Sequence, residues 1–295
     1  MNIAENLKYG KFNGICTDLS AFINTQDFLD NLKYLQHSDI NIISAGFQSP
    51  NPNREYYKKS RNQDRERISL CSDSAITSNG EIDLDSPFLA NLELITTAAE
   101  SLGLAVLVNI LDASCEHIFV DAFAVVTGIF NAIDWLISKQ FNNIIVNLTN
   151  ISQTFYKSSI LNGEKFINML ESVKKSTGDK LIIGAGMKNF AGVSESALDL
   201  YIKSSDFIPL YSLNYKTHNT KKMLENIYYF KSRTDIPLIM AKGDDLSDKY
   251  NSYGKNNMLE ARENGVSWFY YNLEKLGIEP VDWGFLRNVS KQIAQ

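Results

Sequence analysis

The chain has 295 residues, 44% hydrophobic residues and a formal net charge of -5 at pH 7. This length suits one large α/β domain or two ordinary ones, and the absence of a basic tail or stripe excludes a dedicated nucleic-acid binder. The N-terminus lacks the apolar segment of a secretory signal, and no apolar run reaches the ~18–20 residues of a membrane span. We therefore expect a cytoplasmic protein without a membrane partner, and leave an extracellular or virion-associated location open.

The cysteines and histidines are few and scattered. Cys16, Cys71 and Cys115 have no metal-ligand spacing, so we expect buried or free thiols and not a disulfide framework. The histidines belong to three separate parts of the chain, namely His37, His117 and His218. The sequence therefore predicts no metal site and no cofactor.

Short apolar segments alternate with amphipathic segments along the whole chain. The apolar segments predict strands over residues 14–18, 41–45, 104–111, 143–148, 180–185, 206–211, 236–241 and 266–271. Helical periodicity and end signals predict helices over residues 25–36, 87–102, 122–139, 163–176, 194–204, 219–234, 256–264 and 282–294. The run LAVLVNIL at 104–111 is apolar almost throughout, as expected of a strand buried on both faces.

Eight strands, each followed by a helix, predict a (β/α)₈ barrel formed by residues 1–295 as a single domain. The strand starts are about 26–39 residues apart except after the second strand, and such barrels have about 250 residues. An open doubly wound sheet is the rival, but TDLSAF after the first strand lacks the glycines of a phosphate-binding loop. Residues 48–87 are too long and polar for a usual connection of ~2–6 residues, so we interpret them as a surface insertion.

Polar side chains follow the strands at the end where such barrels place their sites. Aromatic rings can stack on sugar rings, while amides and carboxylates can hydrogen-bond sugar hydroxyls. The sequence therefore predicts a carbohydrate as the ligand. The candidate ligand-binding residues are Asp18, Asn147, Asn150, Tyr211, Lys242 and Tyr271.

Three segments resemble parts of the clan A glycoside hydrolases, the cellulase-like superfamily of (β/α)₈ barrels. They are WLISKQFNNIIVNLTNIS (135–152), IPLIMAKGDD (236–245) and VSWFYYNL (266–273), and they are similar to the fourth, seventh and eighth strands of that group. The resemblance implies an acid/base glutamate after Asn150 and a nucleophilic glutamate before Gly243. This chain has Ile151 and Lys242 at those two positions, and neither residue can perform the family's chemistry.

These replacements favour a catalytically degenerate barrel that acts as a carbohydrate-binding or structural module, alone or in a larger assembly. The alternative is an active glycoside hydrolase with relocated carboxylates, for which Asp112, Asp244 and Asp245 are the candidates. Retaining chemistry needs two carboxyl groups ~5–5.5 Å apart and inverting chemistry ~6.5–9.5 Å. A third hypothesis is an aldolase that forms a Schiff base through Lys242 or Lys188.

Overall fold

The structure is a computed structural model that describes residues 2–16, 29, 32–33, 35, 40–50, 71–150, 158–187, 193–211, 220–242 and 260–271. Ten strands lie within these ranges. Eight of them form one parallel sheet, and two form a separate antiparallel pair. The eight are β1 (Asn13–Cys16), β2 (Ile42–Gly46), β5 (Ala105–Asp112), β6 (Ile144–Asn150), β7 (Ile183–Gly184), β8 (Ile208–Tyr211), β9 (Leu238–Lys242) and β10 (Ser267–Tyr271), and the pair is β3 (Gln48–Pro50) and β4 (Cys71–Ser74).

The eight parallel strands close on themselves. Their order in the sheet is β7-β6-β5-β2-β1-β10-β9-β8, so every strand lies beside its neighbours in the chain, and β1 lies beside the last strand. A parallel bridge between Gly184 and Phe207 joins the two ends of this order. The predicted (β/α)₈ barrel is therefore confirmed.

Side chains from outside the strands complete the seam between β7 and β8. The Asp206 backbone N–H donates to the Ile183 carbonyl, and the Ile183 N–H donates back to Asp206 Oδ2, both at 2.8 Å. Lys174 Nζ also donates to the two carboxylate oxygens of Asp206, at 2.8 and 2.7 Å. The Asp206 carboxylate thus links the backbone of β7 to the helix that contains Lys174.

Asp206→Ala is expected to lower the free energy of unfolding by about 2 kcal/mol, because the Ile183 amide and Lys174 both lose their acceptor. Urea unfolding measures the loss. The matched control is Glu171→Ala, which removes the partner of the exposed Lys175 and should cost about 0.5 kcal/mol or less. Equal losses in the two variants would contradict the role assigned to the seam.

The described helices after the first begin and end close to the predicted positions. Each of the longer ones buries one face, and in the helix that starts at Gly163 the buried face includes Phe166, Ile167, Leu170 and Val173. The side chain of Asp121 caps the helix that follows β5 by accepting from the Ala124 N–H at 2.8 Å. The helices are α1 (Ile3–Lys8), α2 (Pro87–Ser101), α3 (Ala122–Lys139), α4 (Gly163–Thr177), α5 (Glu195–Lys203) and α6 (Thr220–Lys231).

Three predicted helices are described in part or not at all. Residues 29, 32, 33 and 35 of the predicted helix 25–36 are helical, as are residues 260–263 of the predicted helix 256–264. The predicted helix 282–294 lies outside the described residues.

Helix α1 was not predicted. It buries Ile3 and Leu7 at the end of the barrel where the strands begin, since Gly10 directly after it approaches Gly265, just before β10. A Cβ on Gly10 would lie 2.2 Å from the Gly265 carbonyl oxygen, and Gly10 has φ +63°. Only glycine fits there without displacing the chain.

Among the described helices, α3 is long and apolar enough to cross a membrane by length and composition alone. Its buried residues instead pack in the core with β5 and β6. Trp135 of α3 makes an edge-to-face contact with Phe47, which directly follows β2, with ring centroids 5.5 Å apart. This is the packing of a helix in the outer layer of a barrel.

The prediction of three free or buried thiols was wrong. Cys71 in β4 and Cys115, in the short 3₁₀ helix Ala113–Ile118 after β5, form a disulfide bond. Their separation of 44 residues has no diagnostic spacing, and only the fold brings them together. A cytoplasmic location was predicted by default, and a disulfide is more typical of an oxidising compartment.

Candidate functional site

The register of β5 and β6 divides their polar residues between two faces. Asn109 is the register partner of Asn147, and Asp112 is the register partner of Asn150. Because successive residues of a strand face opposite sides, Asn147 lies on one face of the barrel wall and Asn150 on the other. The predicted site residues therefore form two groups.

The first group faces the inside of the barrel. Asn147 Nδ2 donates to Asn109 Oδ1 and to Tyr211 Oη, both at 2.8 Å, so its amide joins side chains of β5 and β8. Asn109 Nδ2 donates in turn to Ser44 Oγ of β2 at 2.8 Å. Side chains from four different strands can converge in this way only on the concave side of a closed sheet.

These residues with Thr149 are called here the amide cluster: Ser44, Asn109, Asn147, Thr149 and Tyr211. Asn147 is 0% exposed and Tyr211 is 8% exposed. The Tyr211 hydroxyl donates to the Thr149 carbonyl at 3.1 Å, so it both accepts and donates. A buried cluster whose members satisfy each other fixes the wall rather than offering free groups to solvent.

The amide cluster also holds the chain where it leaves β7. The Gly186 N–H donates to Asn147 Oδ1 at 3.2 Å, and the Thr149 hydroxyl donates to the Gly186 carbonyl at 2.9 Å. A Cβ on Gly186 would lie 2.4 Å from a ring carbon of Tyr211, so the cluster can close only around glycine. Side-chain bonds thus continue the wall beyond Gly184, where the ladder of β7 ends.

Tyr201 of α5 supports the same segment from outside. Its hydroxyl donates to the Ala185 carbonyl at 2.6 Å, and the side chain is fully buried. Burial raises the pKa of the Tyr201 phenol far above its usual value of 10.0, and nearby Tyr211 adds to the rise. The phenol therefore stays neutral in the folded protein under all ordinary conditions.

This pKa shift predicts a loss of stability in alkali. The folded-state pKa is above the unfolded value, so the contribution of Tyr201 is complete below pH 10 and decreases above it, by about 1.4 kcal/mol per pH unit. Tyr201→Phe should flatten this decrease, measured by urea unfolding at pH 8 and pH 11. Tyr228→Phe alters an exposed ring and serves as the control. The same slope in both variants would refute the assignment.

The second group lies at the rim on the other face. Asn150 Nδ2 donates to Asp112 Oδ2 at 3.1 Å, and the Asp112 N–H donates to Gln48 Oε1 at 3.1 Å. Asp112 is only 3% exposed, whereas Asn150 is half-buried. Nearby, Glu116 accepts from the Ser158 N–H, which links the connection after β5 to the connection after β6.

The structure describes only some of the remaining predicted residues. Lys242 ends β9 and Tyr271 ends β10, so both lie at the same end of the barrel as Asn150. Lys188 and His218 lie outside the described residues, as do Asp18, Ile151, Asp244 and Asp245. The distances between Asp112 and the other candidate carboxylates are therefore not defined. Among the residues that the structure describes, no three His, Cys, Asp or Glu side chains form a group that could hold a metal.

Two residues with a clear part in this region, Glu116 and Asn109, were missed in the sequence, whereas Gln48 was noted among the polar residues at the strand ends. Glu116 lies in a polar segment, where nothing distinguishes it from other polar residues. Asn109 gave a signal, because it is the single polar residue within the apolar run LAVLVNIL. A lone amide in a fully buried strand needs hydrogen-bond partners inside the protein.

Comparison with solved structures identifies the type of barrel. An endo-1,4-β-mannanase from Rhizomucor miehei matches with a TM-score of 0.58 and 11% identity, over 96% of this chain and 95% of that one. A β-mannanase from Streptomyces thermolilacinus, solved with mannohexaose, gives 0.57 and 11% over 92% and 80%. A β-1,4-D-mannanase from Cryptopygus antarcticus gives 0.55 and 10% over 96% and 89%.

The chain has the fold of these mannanases. The predicted resemblance to glycoside-hydrolase barrels is thereby confirmed at the level of fold. No family model matches the sequence, and no curated protein matches it. At 9–14% identity, the mannanase fold carries no information about activity on its own.

Proposed function

We propose that this mannanase-fold barrel binds a carbohydrate chain at its mouth and does not hydrolyse it. The observation that carries the proposal is the chemistry of the wall at the ends of β5 and β6. The amides and hydroxyls of its inner face are bonded to one another, and on the other face the one carboxylate of these two strands, Asp112, is buried and bonded to the half-buried amide of Asn150. The resemblance adds Ile151 and Lys242 in place of the two glutamates.

The amide of Asn150 is the group best placed to contact a ligand from this part of the wall. Its side chain is half-buried, and Asp112 fixes the orientation of its amide nitrogen. A fixed amide loses little freedom when it binds a sugar hydroxyl, so each hydrogen bond keeps more of its free energy. Lys242 and Tyr271 complete the proposed set at the ends of β9 and β10, with Asp18 as a further member. In this proposal, Asn147 and Tyr211 support the wall beneath.

An exposed aromatic side chain at the same end adds to the proposal. Phe123 is in the first turn of α3, which begins where the connection from β5 ends, and it is 78% exposed. Singly exposed apolar side chains are common on protein surfaces, so the position of Phe123 at this end of the barrel, and not its exposure, is what supports its inclusion. An aromatic ring at this position can stack on the face of a sugar ring.

Mannohexaose is the first ligand to test, because a mannanase of the same fold has been solved with it. Calorimetric titration should show binding, and Asn150→Ala should weaken it five- to tenfold, the loss expected for one hydrogen bond of about 1–1.4 kcal/mol. The matched control is Asn142→Ala. Asn142 also donates to a carboxylate, Glu100, but lies at the opposite end of the same strand.

Two results would count against the proposal. Absence of binding to mannohexaose and to other β-linked hexasaccharides would leave only a structural role. Release of reducing sugar that Asp112→Asn abolishes would instead support the alternative, an active glycoside hydrolase with relocated carboxylates. Phe123→Ala, compared with Tyr9→Ala at the opposite end of the barrel, tests the aromatic contribution separately.

A further inference from the structure

The hairpin formed by β3 and β4 is attached to the barrel mouth through the first and the last of its three residue pairs. Gln48 pairs with Ser74 in the first rung and Pro50 pairs with Cys71 in the second, with the Ser49–Asp73 pair between these two rungs. The first rung continues directly from β2, because Phe47 separates β2 from β3 and its carbonyl accepts from the Ala75 N–H at 2.8 Å. Strand β3 therefore continues the barrel wall from β2, and the rest of the hairpin can be held by contacts with other segments.

Both rungs are anchored to the same short segment after β5. Gln48 of the first rung accepts from the Asp112 N–H, and Cys71 of the second rung is bonded to Cys115. Gln48 Nε2 also donates to Ser74 Oγ at 3.4 Å, and that hydroxyl accepts from the Ile76 N–H at 3.0 Å. One non-covalent and one covalent link thus fix the hairpin over residues 112–115.

This segment is also linked to the end of β6. Asp112 accepts from Asn150, and Glu116 accepts from the Ser158 N–H beyond β6. The disulfide, the hairpin and the rim of the barrel therefore form one connected unit. Breaking the disulfide would therefore affect Asp112, which orients the Asn150 amide.

We propose that the Cys71–Cys115 disulfide is a redox latch that sets the position of this hairpin at the barrel mouth. Cys115 is buried, whereas Cys71 is half-buried, so a reductant reaches the sulfur of Cys71 first. The thiolate of a small dithiol attacks Cys71 Sγ and displaces Cys115 as a thiolate, which takes up a proton. The second thiol of the reductant then releases Cys71 as a thiol and leaves as a cyclic disulfide.

Opening the latch leaves the hairpin held by hydrogen bonds and by the core packing of Phe47, Ala75 and Ile76 next to its strands. The hairpin has only three residue pairs, and an isolated two-stranded hairpin is marginally stable in water. The amides of Ala75, Ile76 and Asp112 then exchange with solvent through local opening. This opening does not expose the sheet ladder elsewhere, so amides such as those of Ile208 and Trp268 still exchange only through global unfolding.

Amide hydrogen exchange of the full chain, with and without a dithiol, tests the latch. We expect exchange at Ala75, Ile76 and Asp112 to become about tenfold faster or more on reduction and to be insensitive to added urea, as local opening is. Exchange at Ile208 and Trp268 should still require global unfolding and should therefore accelerate with urea. The readout involves no carbohydrate, so its outcome is independent of the proposed function. The Cys71→Ala/Cys115→Ala variant should show the fast rates already and should not respond to the dithiol.

Alkylation of the unfolded, unreduced protein provides the preceding check. One alkylated cysteine is expected before reduction and three after it, because the chain has three cysteines and two of them form the bond. Three alkylated cysteines before reduction would overturn the proposal, because no bond would exist. Equal exchange of Ala75, Ile76 and Asp112 in both redox states, or the same urea dependence there as at Ile208 and Trp268, would overturn it too, since neither is the behaviour of a local latch.

Discussion

Asn147→Ala is expected to lower the free energy of unfolding by about 4 kcal/mol, one of the two largest effects that the structure predicts. The substitution removes two donated hydrogen bonds and one accepted bond. It leaves the Gly186 N–H, the Asn109 side-chain oxygen and the Tyr211 hydroxyl without these partners in a largely buried part of the wall. Each such group costs about 1–3 kcal/mol, and the lost volume adds a cavity.

Urea unfolding followed by circular dichroism measures this effect. Asn150→Ala is the matched control, because it lies three residues further along β6, is half-buried and donates one described hydrogen bond. Its loss should be about 1 kcal/mol. If the two variants lost the same stability, Asn147 would not be the centre of the amide cluster.

The second large effect is expected from the disulfide. Cys71→Ala/Cys115→Ala should lower the free energy of unfolding by about 4 kcal/mol, because the bond closes a loop with a sequence separation of 44 and restricts the unfolded chain. For a chain of this size the melting temperature should decrease by roughly 6 °C. Differential scanning calorimetry gives both values.

Reduction of the wild-type protein with a dithiol is the control for the double variant. Reduced wild-type protein should melt at the temperature of the double variant, and the double variant should be insensitive to the reductant. A wild-type melting temperature that does not change after verified reduction would show that the bond adds no stability.

Most of the barrel could be predicted because its strands are short β-branched runs between clear helix ends. Residues 144–146 (IIV), for example, are a short β-branched run of the kind that favours a buried strand, and Gly103 and Gly178 mark helix ends at positive φ. Strand β7 was predicted too long. The segment after Gly184 leaves the ladder because Gly186 must approach Tyr211, and that contact is not visible in the local sequence.

The candidate site was less predictable for the same reason. The sequence placed Asp112, Asn147 and Asn150 together at strand ends, but only the register shows that Asn147 faces inward while Asp112 and Asn150 face the other side. The Cys71–Cys115 bond depends on a hairpin whose position follows from tertiary packing. Helix α1 is only six residues long, too short for a periodic pattern.

The central claim is that this barrel binds a carbohydrate chain without cutting it. The most direct test is a proton NMR spectrum of mannohexaose mixed with an equal concentration of the protein and followed over a day. The claim predicts broadened mannohexaose signals from the start and no new anomeric signals from reducing ends at any time. Growth of such signals, or mannohexaose lines that stay sharp throughout, would contradict it.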